Sequence, residues 1–183
     1  MDSQTRSPRR WTTPTRSRDE RGAALIEFAL VLPVLMAFLL GTITIGIAYN
    51  RSISMNNSTR ETARYGALLP VDSDLSAWLN TVADVAIAGA TGDLGPSVDG
   101  QYICVAYVYP DGTETEDRTS RLEETLGTRV ETVGSTCFSD GRPNSERRVQ
   151  LVLRRRTDLE AVVYSQTITL SSESVARFER STG

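Results

Sequence analysis

The sequence predicts an α+β protein: an N-terminal transmembrane helix extended into a juxtamembrane helix, then a small extracytoplasmic domain built on an antiparallel sheet of about three strands. Three observations predict it. Phe28 to Ala48 runs FALVLPVLMAFLLGTITIGIA without a charge; a Pro-free segment follows to Leu69; and the last third alternates β-branched and polar residues. Four segments follow from this reading: a basic cytoplasmic leader over 1–22, a transmembrane helix over 23–48, a juxtamembrane helix over 49–69 and the extracytoplasmic α+β domain over 70–183.

The leader is rich in Arg, Ser, Thr and Pro and is expected to be disordered. Arg6, Arg9, Arg10, Arg16, Arg18 and Arg21 outnumber Asp2, Asp19 and Glu20, although the whole chain of 183 residues carries −3. A basic tail beside an apolar span marks the cytoplasmic side of a membrane helix, and this reading is preferred to nucleic-acid binding. A helix from Ala23 to Ala48 would be about 39 Å long, enough to cross a hydrocarbon core of about 30 Å with tilt. Pro33 is expected to kink it. Within the apolar run stands one carboxylate, Glu27, whose transfer to mid-bilayer costs on the order of 2.5 to 3.5 kcal/mol. Either it reaches the nearby interface or a partner offsets that cost.

Beyond the membrane, Tyr49, Ile53, Ala63 and Ala67 fall at helical spacings, and Arg60, Glu61 and Arg64 are read as a solvated face with a local ion pair. Pro70 ends this helix. Asp72-Ser73-Asp74 offers an N-cap for a second one, with Leu75, Trp78, Leu79, Val82 and Val85 as its core stripe and Gly89 and Gly92 near its end. Gln101 to Tyr109 is apolar on both faces, as a central strand would be, and Pro110-Asp111-Gly112 stops it. Thr113 to Arg147 reads as a polar surface excursion with a short helix around Arg121 to Leu126 and a solvated Glu123-Glu124 pair. Val149, Leu151 and Leu153 form a strand, Val162 to Phe178 another, and Arg154-Arg155-Arg156-Thr157-Asp158 the connection between them, whose three adjacent arginines could touch anionic polymers or lipid headgroups or simply mark an exposed hairpin end.

The absence of His removes the Ser/His and Cys/His nucleophile pairs and most zinc and iron sites. No catalytic residue, metal or cofactor is expected, and the chain is not expected to be an enzyme. Cys104 and Cys137 fit neither a metal knuckle nor a Cys-x-x-Cys motif. Placed across the membrane, where disulfides persist, they are expected to form one intramolecular bond.

The stretch RGAALIEFALVLP, Arg21 to Pro33, resembles the processing region of type IV pilin-like proteins, and in particular of the TadE-like proteins of tight-adherence (Tad or Flp) pilus systems. AYNRSISMNNSTRETARYGALLP, with its core at Arg60 to Tyr65, resembles that family's juxtamembrane segment, and ITLSSESVARFE its final strand. The resemblance implies that a prepilin peptidase cuts between Gly22 and Ala23. It implies also that Glu27, with Phe28 beside it, serves assembly by pairing its carboxylate with the new α-amino group of a neighbouring subunit. Implied partners are that peptidase, other pilins or pseudopilins, the Tad secretion machinery and membrane lipids, with no nucleic acid. The implied role is a minor pilin or pseudopilin in a single-pass cell-membrane topology. Two alternatives stay open. Gly46-Ile47-Ala48 could end a signal peptide and release a secreted binding domain, and a membrane-tethered enzyme could use Ser or Asp without His.

Overall fold

The computed structural model describes residues 18–71, 74–90, 92–95, 97–109, 120–142, 146–161 and 164–178. Two helices and five strands follow one another as α1 (Arg18–Leu68), α2 (Leu75–Gly89), β1 (Tyr102–Val108), β2 (Ser120–Thr125), β3 (Thr128–Val133), β4 (Arg148–Ala161) and β5 (Tyr164–Arg177). The architecture is α+β: a long apolar helix, then a small domain of one short helix and one antiparallel sheet. The leader before Arg18, the residues Asp72 and Ser73, and the turn expected at Pro110-Asp111-Gly112 lie outside the described residues.

Helix α1 has 51 residues and contains Pro33. The expected passage from apolar span to juxtamembrane helix is one unbroken element. Its second half buries Ala48, Met55, Ser58, Thr59, Thr62 and Ala63, a stripe at helical spacing. Of the expected face, Ala63 is buried and Ala67 packs against the core, but Tyr49 and Ile53 are exposed. Burial instead follows the small and hydroxyl residues, which let α2 and the sheet come close. Ser58 Oγ donates to Ala86 O at 2.9 Å, and a Cβ at Gly89 would sit 2.9 Å from that same hydroxyl oxygen. Arg60, Glu61 and Arg64 are exposed as expected, but no ion pair joins them among the described residues.

Asp74 caps α2 by accepting from Ala77 N at 3.0 Å. The helix buries Trp78, Leu79, Val82, Ala83 and Ala86; Val85, expected in the stripe, is half-buried beside it.

The sheet has five strands, not about three, in the order β3-β2-β1-β4-β5, with every neighbour antiparallel. The apolar strand β1 is central, as expected. The short helix expected around Arg121 to Leu126 is strand β2. Ser120, Leu122 and Glu124 are buried at every second position, and Leu126 and Gly127, at φ 49° and 80°, turn the chain into β3. Leu-Gly is a poor match to the residues such a turn usually carries, so the hairpin was hidden. The Glu123-Glu124 pair is not simply solvated. Glu124 is 2% exposed and accepts from Gln101 Nε2 at 3.2 Å and Arg129 Nε at 2.7 Å, while the Tyr102 hydroxyl donates to Glu123. Burial, and then Glu123, pushes the Tyr102 phenol up to about 12.

Arg154 to Asp158 are not a connection but lie inside β4, which pairs with β5 from Arg148–Arg177 to Ala161–Tyr164. The alternation explains how three adjacent arginines fit a strand. Arg155 points to the helix side and bonds Asp93, whereas Arg154 and Arg156 point to the other face and are exposed.

The main core lies between the helices and one sheet face: Met55, Trp78, Leu79, Val82, Ile103, Val105, Tyr107, Val149, Leu151 and Leu153. Helix α1 packs on β4 and β5, and α2 on β1 and β2. On the opposite face Cys104 and Cys137 are joined, with Cα atoms 5.8 Å apart. The segment after β3 is thereby folded onto the sheet. Gln150 Oε1 accepts from Cys137 N at 3.1 Å, Gln150 Nε2 donates to Phe138 O and Asp140 Oδ2 at 3.0 Å each, and Arg148 Nε donates to Asp140 at 2.6 Å.

Candidate functional site

From Gly22 to Ile47 helix α1 buries no residue. Leu25, Ile26, Leu30, Leu35, Phe38 and Ile45 are each more than half exposed and project from all sides. A helix apolar all round must be covered, by a protein core or by lipid; this is the one described helix long and apolar enough to cross a membrane. The covering material, not the fold, would hold this half of α1.

The four residues singled out at its head share that exposure. Gly22 and Ala23 lie in the first turns of α1, and a Cβ at Gly22 would meet nothing within 4 Å. The bond between them is helical backbone with no neighbour to shield it. Glu27 is exposed and has no hydrogen bond or ion pair among the described residues. Phe28 is 58% exposed. The four are therefore near one another along the helix, and all four are exposed. A carboxylate on an apolar rod can act only through something brought to it: a headgroup, water or the amine of another chain.

The other candidate residues, Cys104 and Cys137, sit on the face of the sheet turned away from the helices; their bond fastens a segment. The sequence reading missed a cluster where α1 meets the domain. Arg155 Nη1 donates to Asp93 O and Oδ1 at 2.8 Å each, and Arg51 Nε lies 3.6 Å from the same carboxylate. Burial, and then the neighbouring Arg51, lowers the Arg155 guanidinium, with Asp93 opposing. Three residues from three segments meet here, and no local pattern announces such a meeting. Only the arginine run was visible.

No curated protein and no solved structure matches the chain. A family model does, over residues 22–64, and its description is TadE-like protein. The match begins at the glycine that heads the apolar rod and ends where α1 is packed on the domain, so this stretch of the chain is similar to TadE-like proteins, a family whose name implies involvement in Tad pilus assembly.

Proposed function

We propose that this protein is a minor pilin or pseudopilin of a Tad/Flp-type adhesion pilus, anchored by α1 and processed by a prepilin peptidase between Gly22 and Ala23. The leader stays in the cytoplasm and the α+β domain stands on the other side of the membrane, an orientation supported by the arginines before Gly22. Its action is assembly by protein contact and not catalysis.

The observation that carries this reading is Glu27, a carboxylate with no partner among the described residues, on the exposed apolar rod five residues after Gly22. Cutting after Gly22 would place a new α-amino group on Ala23, four residues before that carboxylate. On one helix the two lie about 6 Å apart along the axis. Between subunits displaced by one such step they could meet directly, and each charge would offset the other's desolvation. The cut requires the first turns of α1 to open, and nothing packed on Gly22 opposes that. Release by signal peptidase after Ala48 fits less well. Ala48 is 6% exposed and α1 continues through it into the core stripe, so that cut would fall within a packed helix.

Mass spectrometry of the membrane-extracted protein tests the proposal. A mature chain beginning at Ala23 is expected in cells with an active peptidase, and Gly22 replaced by a bulky residue should block the cut while sparing insertion. A chain beginning at Tyr49, or one still carrying the leader, would overturn it.

A further inference from the structure

The β4–β5 hairpin extends well past the core. Three contacts fix its alignment with α1. Gly66 faces Val149, Asn56 accepts from Ser172, which pairs with Leu153, and Arg51 shares Asp93 with Arg155. Going down α1 from Gly66 to Arg51 covers about 22 Å at the helical rise, and going along β4 from Val149 to Arg155 covers about 20 Å at the strand rise. Helix and hairpin therefore run side by side. Beyond Arg155 the ladder continues to the pairs Glu160–Ser165 and Ala161–Tyr164, about 20 Å further, which is level with roughly residues 38 to 41 of α1. The burial of Ala48 and Thr157 is consistent with this overlap.

That end therefore lies beside the apolar rod. Twenty helical residues starting at Gly22 span about 30 Å, one hydrocarbon core, and end at Gly41. Composition changes at the same point. Thr42 and Thr44 are the first hydroxyl residues after Gly22, and they bond Phe38 O at 2.8 Å and Leu40 O at 2.9 Å. Residues 42–48 cover about 10 Å, comparable with a headgroup layer, and exposed Tyr49 follows at the level where interfacial aromatics collect.

We propose that the lower part of the β4–β5 ladder, around Asp158 and Thr167, lies in the lipid headgroup layer on the domain side, as a second membrane contact whose last pairs reach the boundary of the hydrocarbon core, with Arg154 and Arg156 directed at lipid phosphates. This rests on the reading of α1 as a membrane anchor. The polar character of the hairpin suits headgroups and not hydrocarbon. Asp158, which accepts from Thr167 Oγ1 at 2.6 Å, lies at the level of residues 42–48 and not below it. The arginines lie just above. Arg154 keeps 45% of its side chain exposed beside Glu173 at 3.7 Å, and Arg156 is exposed. Gly100, at φ +62°, makes room for the Arg156 stem, with which any Cβ there would collide. Long arginine stems can reach the phosphates from this height. Two contacts, rod and hairpin, would hold the domain at one height and one rotation about α1.

The test uses the full chain in vesicles of phosphatidylcholine and phosphatidylglycerol, with a fluorophore on one introduced cysteine: Leu35→Cys, Ser165→Cys or Arg177→Cys. Lipids carry a nitroxide quencher on the headgroup or at mid-chain. The Leu35→Cys label should lose emission to the mid-chain nitroxide, the Ser165→Cys label to the headgroup nitroxide, and the Arg177→Cys label to neither. Charge reversal with R154E and R156E should weaken the loss at 165. Emission unchanged at 165 with normal loss at 35 would overturn the hairpin contact alone. No loss at 35 would remove the anchor, and this inference with it. Loss at 165 that ignores charge reversal would overturn the role of the arginines.

Discussion

Removing the Cys104–Cys137 bond should lower the stability of the domain by an amount that the loop itself determines. The bond closes a loop with a sequence separation of 33. In the chain-entropy account a loop of that size restricts the unfolded chain by roughly 4 kcal/mol, a large part of the roughly 5–15 kcal/mol that holds a typical domain together. The native arrangement should survive the change, since the segment is also fastened by Gln150, which bonds Cys137 N, Phe138 O and Asp140, and by the Arg148–Asp140 pair. The perturbation is Cys104→Ala with Cys137→Ala in the full chain held in detergent. The probe is Trp78, 3% exposed and packed edge-on against Tyr107 with ring centroids 5.7 Å apart. Trp11→Phe leaves it as the one tryptophan of the two in the chain. With a urea slope of about 2 kcal/mol/M, the midpoint should fall by about 2 M, and the slope should rise because the freed unfolded chain exposes more surface. Reduction of the unsubstituted protein should reproduce the shift. An unchanged midpoint, in material whose mass confirms the bond, would refute the reasoning, because the loop would then not limit the unfolded chain.

The remaining predictions concern charge. Burial works against the Asp140 carboxylate, but bonds from Gln150, Arg148 and the Arg142 backbone outweigh it and hold its pKa below the ordinary value. A lowered folded pKa means stability that is fully present above the unfolded value, about 3.9, and is lost as pH falls through the folded one. Acid titration of the melting temperature should therefore show a loss below that value that is absent in Asp140→Asn. Asp140→Ala should cost about 3 kcal/mol at neutral pH, since it removes the counter-charge of Arg148, whose side chain is 4% exposed and keeps its bond to Glu146 O; denaturant unfolding checks it. Glu27→Leu should leave the protein in the membrane fraction but impair pilus assembly, and normal pili in that strain would assign Glu27 to the interface instead.

Particular elements show where local sequence sufficed. The apolar run from Phe28 to Ala48 needs no partner to be recognised, because length and the absence of charge are properties of the segment alone. The same holds for Gly22 and Glu27, five positions apart, and for the Asp74 cap, which acts within one turn of α2. Strand β1 was legible because a central strand is apolar on both faces. The β2–β3 hairpin was not. Arg121, Glu123, Glu124, Arg129 and Glu131 look like surface residues until Gln101, Asn80 and Asp84 arrive from elsewhere to meet Glu124, Arg129 and Glu131.

The arginine run at 154–156 divides the two kinds of knowledge most clearly. Read locally, three adjacent cations belong at an exposed end. In the fold they alternate across a strand, and Asp93, from the segment after α2, makes the middle one tolerable. Sequence alone determined that the protein carries a long apolar helix with one glycine and one carboxylate near its head, since those features depend on order along the chain. Only the tertiary structure decided which face of α1 is buried, how many strands the sheet has and how far the β4–β5 hairpin reaches down the helix. Each of those depends on contacts between segments tens to a hundred residues apart, whose energies no single segment encodes.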